Sequence, residues 1–278
     1  MRLELSGLTV GYRDHVVLRG LDLEVPVGSI CALLGPNGSG KTTLLRNINA
    51  ILKPLEGKVM LGGRDLGSMS RKEIALAMAF VPQSTNLPFN YTGLDMVVMG
   101  KTPHMSVWSS PGPRAREEAW EVMESVGIGH LAEQYYMQMS AGERQLVLLA
   151  RAVMQDAPML LLDEPTSHLD LRNQLVIMNM VRRIAHGKKA TVLITLHDPN
   201  LALRYCDYAA LLYAGGILGH GTTEEMLSGE NLSRVYGVEV SCELTEGGSM
   251  VVVPACEPPP HASPAEDRCR APSPGAPE

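Results

Sequence analysis

Gly35-Pro36-Asn37-Gly38-Ser39-Gly40-Lys41-Thr42 lies between an apolar run at 29–34 and a helical pattern at 41–52 that puts Leu44, Leu45, Ile48, Ile51 and Leu52 on one face. A short run bounded by a turn reads as a buried strand, and the periodic stretch after it as an amphipathic helix. The octapeptide fits G-x-x-x-x-G-K-[ST] in the strand-to-helix context that this motif requires. Its glycines let backbone amides curl around phosphate oxygens, and the helix N-terminus adds partial positive charge. Lys41 is then expected to reach the β- and γ-phosphates and the Thr42 hydroxyl to ligate Mg²⁺, with Thr43 next along the same run. A plain glycine turn before a helix is the bland alternative, and the flanking strand weighs against it.

Working outward, apolar runs at 79–81, 159–162 and 191–196 also end in polar turns and read as buried strands. Helical patterns between them give an alternating α/β layout. The opening stretch, 3–25, alternates like two antiparallel strands around a turn at Arg13-Asp14. From about 85 to 155 strand signals fade, and helices interrupted by a Pro-, Ser- and Gly-rich loop at 102–113 suggest an inserted helical subdomain. After Pro254 the chain turns to Pro, Ala, Ser and Glu, a composition expected to stay unfolded because it buries too little surface.

Met159-Leu160-Leu161-Leu162-Asp163-Glu164 ends an apolar strand in two carboxylates, where α/β sheets bind ligands. Alone, such an ending is commonly a solvated turn. Beside a phosphate loop, Asp163 is expected to hold Mg²⁺, directly or through water, and Glu164 to polarise a water for in-line attack on the γ-phosphate. Ser140-Ala141-Gly142-Glu143 has the spacing of a capping box, Ser at the N-cap and Glu at the third helical position.

Together with the phosphate loop and Asp163-Glu164, the stretch Met139-Ser140-Ala141-Gly142-Glu143-Arg144-Gln145 resembles the signature of ABC-transporter ATPases. The resemblance spans roughly residues 1–240. It implies an α/β fold: a P-loop NTPase core with a mixed, mainly parallel sheet, a small N-terminal antiparallel β subdomain and an inserted helical subdomain. Residues 1–253 would form one ABC ATPase domain, with the helical insertion at about 85–155, and 254–278 a proline-rich tail.

The resemblance also assigns roles. Tyr12 would stack on adenine, Gln83 would touch Mg²⁺ and sense a membrane subunit, and His197 would contact the γ-phosphate. Gly35, Pro36, Asn37, Gly38, Ser39, Gly40, Lys41, Thr42 and Thr43 would cradle ATP, with Thr42, Gln83 and Asp163 at the metal and Glu164, His197 and Lys41 at the reaction. Ser167-His168-Leu169-Asp170 would link two active sites. In the family two copies pair head to tail, so Ser140 and Gly142 of one close over ATP held by the other. The implied partners are integral membrane permease subunits and, through them, a solute-binding protein, with the chain peripheral on the cytoplasmic face of the inner membrane.

Met99-Gly100-Lys101-Thr102-Pro103-His104, Leu169-Asp170-Leu171-Arg172-Asn173-Gln174, His197-Asp198-Pro199-Asn200-Leu201-Ala202 and Val235-Tyr236-Gly237-Val238 are similar to the branch importing iron chelates, haem and cobalamin. The sequence departs from the common signature at Ala141, where many members carry Gly, and at Met139. Ala141 would be harmless with φ below zero and cost about 1 kcal/mol in the left-handed region. A soluble scaffold ATPase, as in iron–sulfur cluster assembly, is the alternative without a membrane partner. A DNA-repair or translation ATPase would bring a long coiled-coil insertion or a second module, and neither is visible.

The bulk properties agree. A formal net charge of −6 speaks against a nucleic-acid surface. No apolar run nears the roughly 20 residues of a membrane helix, and Met1 leads straight into Arg2-Leu3-Glu4-Leu5 rather than a signal peptide, so a cytosolic protein is expected. Cys31, Cys206, Cys242, Cys256 and Cys269 lack the paired spacing of a zinc site. The sixteen methionines read as adaptable core filler rather than soft-metal ligands.

Overall fold

The computed structural model describes residues 1–13, 15–83, 85, 89–106 and 109–255. Asp14 of the predicted first turn, Val107 and Trp108 of the 102–113 loop, and residues 256–278, with Cys256 and Cys269, lie outside that set.

The chain opens with strands β1 (Leu3–Tyr12), β2 (His15–Val25) and β3 (Ile30–Leu34), followed by helix α1 (Lys41–Ile48). Next come β4 (Glu56–Leu61), β5 (Arg64–Asp65), α2 (Arg71–Ala77) and β6 (Met78–Val81). Helices α3 (Gly93–Val98), α4 (Pro113–Ser125) and α5 (Ala141–Gln155), with short 3₁₀ turns between them, lead to β7 (Met159–Leu162), α6 (Leu171–Lys188) and β8 (Thr191–Thr195). The rest is α7 (Pro199–Tyr205), β9 (Tyr208–Tyr213), β10 (Gly216–Thr222), α8 (Thr223–Met226), α9 (Gly229–Tyr236) and the hairpin β11 (Val240–Leu244) with β12 (Met250–Pro254). No helix among the described residues is long and apolar enough to cross a membrane.

The central sheet runs β10-β9-β3-β8-β7-β6, parallel from β9 to β6, with β10 antiparallel at one edge. A separate antiparallel sheet runs β2-β1-β4-β5. This is the expected mixed, mainly parallel architecture with a small antiparallel sheet, although β4, β5 and the strands after β8 were not foreseen.

Side-chain alternation divides the central strands between two cores. Ile30, Ala32 and Leu34 of β3, Leu160 and Leu162 of β7, and Val192 and Ile194 of β8 face one cluster with α3, α5 and α6. Cys31, Leu33, Met159, Leu161 and Leu193 face the other, with α1 and the antiparallel sheet. A strand buried on both faces has no polar side to show, which is why these segments read as unbroken apolar runs.

Helix α1 is shorter than its periodicity predicts. It stops at Ile48; Asn49 caps it and Ala50 turns to φ 54°, leaving Ile51 60% exposed rather than on the buried face. Apolar spacing alone does not register a chain reversal supplied by backbone torsion.

The helix starts differ in a way that matters. Ser70, Thr92 and Ser140 cap α2, α3 and α5 with reciprocal boxes to Glu73, Asp95 and Glu143. Helix α1 has Gly40 at its N-cap, no side-chain cap and no acidic residue in its first turn. Its first amides are left for another acceptor. Gly40 sits at φ 97°, and a Cβ there would fall 2.8 Å from Val17 Cγ1, so the turn that opens this end needs glycine.

Candidate active site

The carboxyl ends of β3, β8, β7 and β6 lie side by side, and the polar residues leaving them converge. From β3 comes the phosphate loop, from β6 Gln83, from β7 Asp163 and Glu164, from β8 Thr195 and His197. The Asp163 amide donates to Val81 O at 2.9 Å and the Leu196 amide to Leu33 O at 3.3 Å, so the ladder carries on into the loops that bear the site.

Lys41 is buried, 4% exposed, and its ammonium donates to Gly35 O at 2.7 Å and Pro36 O at 3.1 Å. Burial pushes this ammonium below its usual range, opposed by the carboxylates of Glu164 and Asp163. Those two carbonyls are partners that a phosphate can replace. His15, Val17 and residues 37–43 line the cleft with Glu164.

Asp163 is 4% exposed; its Oδ1 accepts from Thr42 Oγ1 at 3.2 Å and Thr195 Oγ1 at 3.1 Å. Burial raises its carboxyl above the usual carboxylate range, with the two hydroxyls pulling the other way. A buried carboxylate whose hydrogen-bond partners are neutral hydroxyls suits a cation, and oxygen donors from Asp163, Thr42 and Gln83 suit a hard one.

Glu164 carries the densest set of contacts. Its Oε1 lies 2.7 Å from His197 Nε2, while Oε2 accepts from Gln83 Nε2 at 2.8 Å and Ser167 Oγ at 3.1 Å. Its amide donates to Thr195 Oγ1 at 2.6 Å. The residue has φ 48°, in the left-handed region that costs a non-glycine residue about 1–2 kcal/mol. Thr195 thus aligns both carboxylate residues, receiving the amide of one and donating to the side chain of the other.

The structure brings Lys41, Thr42, Gln83, Asp163, Glu164 and His197 to one edge of the sheet. Tyr12 ends β1, 42% exposed, with its hydroxyl accepting from Arg46 Nη1 at 3.3 Å. Ser140 and Gly142 lie at the start of α5, and neither lines the cleft of residues 37–43, although Ala141 between them shares a separate cavity with Gln83 and Glu164. Thr195 was missed by sequence reasoning. A β-branched residue closing an apolar strand looks like packing, and its one visible clue is being polar at the end of a buried run.

The ABC transporter family pattern matches residues 18–167, more than half of the chain. The chain belongs to the ABC transporter family. As an ABC transporter ATPase it binds and hydrolyses ATP. It is similar to a probable iron chelatin transport ATP-binding protein of Helicobacter pylori, 37% identical over 237 residues, covering 85% of this chain and 93% of that one. It is also similar to the hemin import ATP-binding protein HmuV of Gloeobacter violaceus, 37% identical over 244 residues, covering 85% and 88%. Among solved structures, the inward-facing conformation of a transporter assigned to the metal-chelate type superposes with a TM-score of 0.79 at 30% identity, over 91% of this chain and 97% of that one.

The departure of this ABC ATPase from the common signature is harmless in the backbone. Ala141 is the first residue of α5 and is absent from the residues of positive φ. Gly142, next to it, is constrained: a Cβ there would lie 2.8 Å from Asn173 Nδ2. Ala141→Gly is therefore expected to lower stability by about 1 kcal/mol at most and to leave hydrolysis within about twofold. Thermal melting and steady-state ATPase rates check this; a several-fold gain in rate would mean that the methyl obstructs the site.

Proposed function

We propose that this chain is the ATP-hydrolysing motor of a multi-subunit importer of metal chelates, such as iron chelates, haem or cobalamin. The observation that carries the chemistry is the Glu164 carboxylate, held by His197, Gln83 and Ser167 beside the phosphate loop. Lys41 and the open amides of α1 bind the phosphates. Glu164 accepts the proton of the attacking water, and His197 contacts the γ-phosphate.

Thr42, Asp163 and Gln83 are the residues that would hold Mg²⁺. When bound, the ion neutralises charge on the phosphate oxygens. Because Asp163 titrates above its unfolded value, its proton favours the folded state. That stability is fully present below the unfolded pKa and is lost as pH rises through the folded one. At neutral pH, without nucleotide, Asp163→Asn is expected to melt above the parent chain, while Mg²⁺-dependent hydrolysis falls at least about tenfold. A lower melting point with hydrolysis intact would contradict both parts.

Two copies pair head to tail in this reading, which is supported by the absence of Ser140 and Gly142 from the lining of the cleft that holds Lys41 in one chain. Residues 1–253 form the ATPase domain, with the helical insertion at about 85–155. The relatives' chelate and hemin cargo supports the cargo class, and the helical segment after Gln83 supports contact with a permease. The importer reading predicts that the chain, trapped with ATP, co-purifies from detergent-solubilised membranes with a polytopic subunit at the cytoplasmic face of the inner membrane. Recovery of soluble partners alone would overturn it.

A further inference from the structure

Helix α7 begins two residues after His197, and its first turn is tied to the end of the fold by one side chain. Asn200 Nδ2 donates to Val252 O at 3.2 Å, and its Oδ1 accepts from the Val252 amide at 2.7 Å. This is the pairing that a neighbouring strand would offer to the outer edge of β12. The other side of Val252 faces Cys242 across the hairpin. Asn200 also gives its backbone amide to Oδ1 of the N-cap Asp198, at 2.8 Å.

The hairpin is in turn held to the body. The Val240 amide donates to Ser233 Oγ of α9 at 2.9 Å, and Cys242 Sγ lies 3.3 Å from Leu227 O. Between the hairpin and residues 197–200 lies a cavity of about 500 Å³ with His197, Pro199, Tyr236, Val240 and Val252 in its walls. Side-chain packing therefore leaves room beside His197, and the two Asn200 hydrogen bonds join α7 to β12 at the wall of that cavity.

We propose that Asn200 is a positioning residue for His197, indexing residues 197–200 to the C-terminal hairpin through Val252. The inference rests on His197 acting in hydrolysis. Asn200 makes no hydrogen bond to Glu164; it acts by fixing where α7 starts, and hence where His197, two residues before that helix, places its imidazole, 2.7 Å from Glu164. Misplacing a reacting group by about 1 Å can cost about a hundredfold in rate.

The test uses the full chain carrying Asn200→Ala, Asn200→Asp, His197→Ala, or Asn200→Ala with His197→Ala. ATP hydrolysis, ATP binding and melting are measured for each. Asn200→Asp keeps the acceptor for the Val252 amide but sets a second oxygen against the Val252 carbonyl. Both Asn200 variants are expected to lose about tenfold or more in kcat with KM for ATP unchanged, and the double variant to fall no further than His197→Ala alone. The clamp is refuted if Asn200→Ala keeps full kcat while His197→Ala is inactive. It is also refuted if kcat and KM worsen together in step with a lowered melting point, or if the double variant falls well below His197→Ala. If His197→Ala itself keeps full kcat, the catalytic reading fails and the clamp fails with it.

Discussion

Glu164→Gln is expected to bind ATP as the parent does, to accumulate as the nucleotide-bound pair, and to lose about 10²- to 10⁴-fold in turnover, the range of a general base. The amide has the shape of the carboxylate and can accept from Gln83 or Ser167 and donate to His197, so the local fold has no reason to change. What disappears is the ability to take a proton from water. The check is single-turnover hydrolysis beside equilibrium ATP binding. Turnover within a few-fold of the parent would remove Glu164 from the role of base, whatever its contacts.

Lys41→Met separates nucleotide binding from folding. Lys41 is buried, and its ammonium is satisfied by the carbonyls of Gly35 and Pro36. Methionine fills a similar volume without the charge, and removing a desolvated ammonium relieves a cost that the nucleotide-free chain otherwise carries. Melting without nucleotide is therefore expected to hold or rise. ATP affinity should fall by about 2–5 kcal/mol, as for losing one partner of a buried charge pair, which is about 30-fold or more in Kd. Calorimetric titration with ATP reads the second effect and thermal melting the first. Equal affinity would mean that the α1 amides alone hold the phosphates.

These two residues were legible in the sequence because their chemistry is local. The phosphate loop packs its glycines, lysine and hydroxyl into eight consecutive positions, and Asp163-Glu164 announces itself by closing an apolar strand. The capping box at Ser140 and Glu143 was legible for the same reason: its partners are three residues apart. Thr195 and Asn200 were not. Thr195 meets Glu164 across 31 positions, and Asn200 meets Val252 across 52, so nothing near either marks its partner. The hairpin that receives Asn200 carries exposed and half-buried residues with Val252 alone buried, and its alternation was too weak to read. The end of α1 was misread because a left-handed turn at Ala50 leaves no trace in hydrophobic spacing.

The backbone torsion at Glu164 has a consequence for how this protein could be remade. Glycine would occupy φ 48° at no steric cost, so a search for heat resistance that ignored turnover would be drawn to that position and would be rewarded for emptying it. Folding and work ask for different residues at one site. Any campaign to harden this chain should hold position 164 fixed, and should treat an unexplained gain in melting temperature as a reason to ask first whether ATP is still being split.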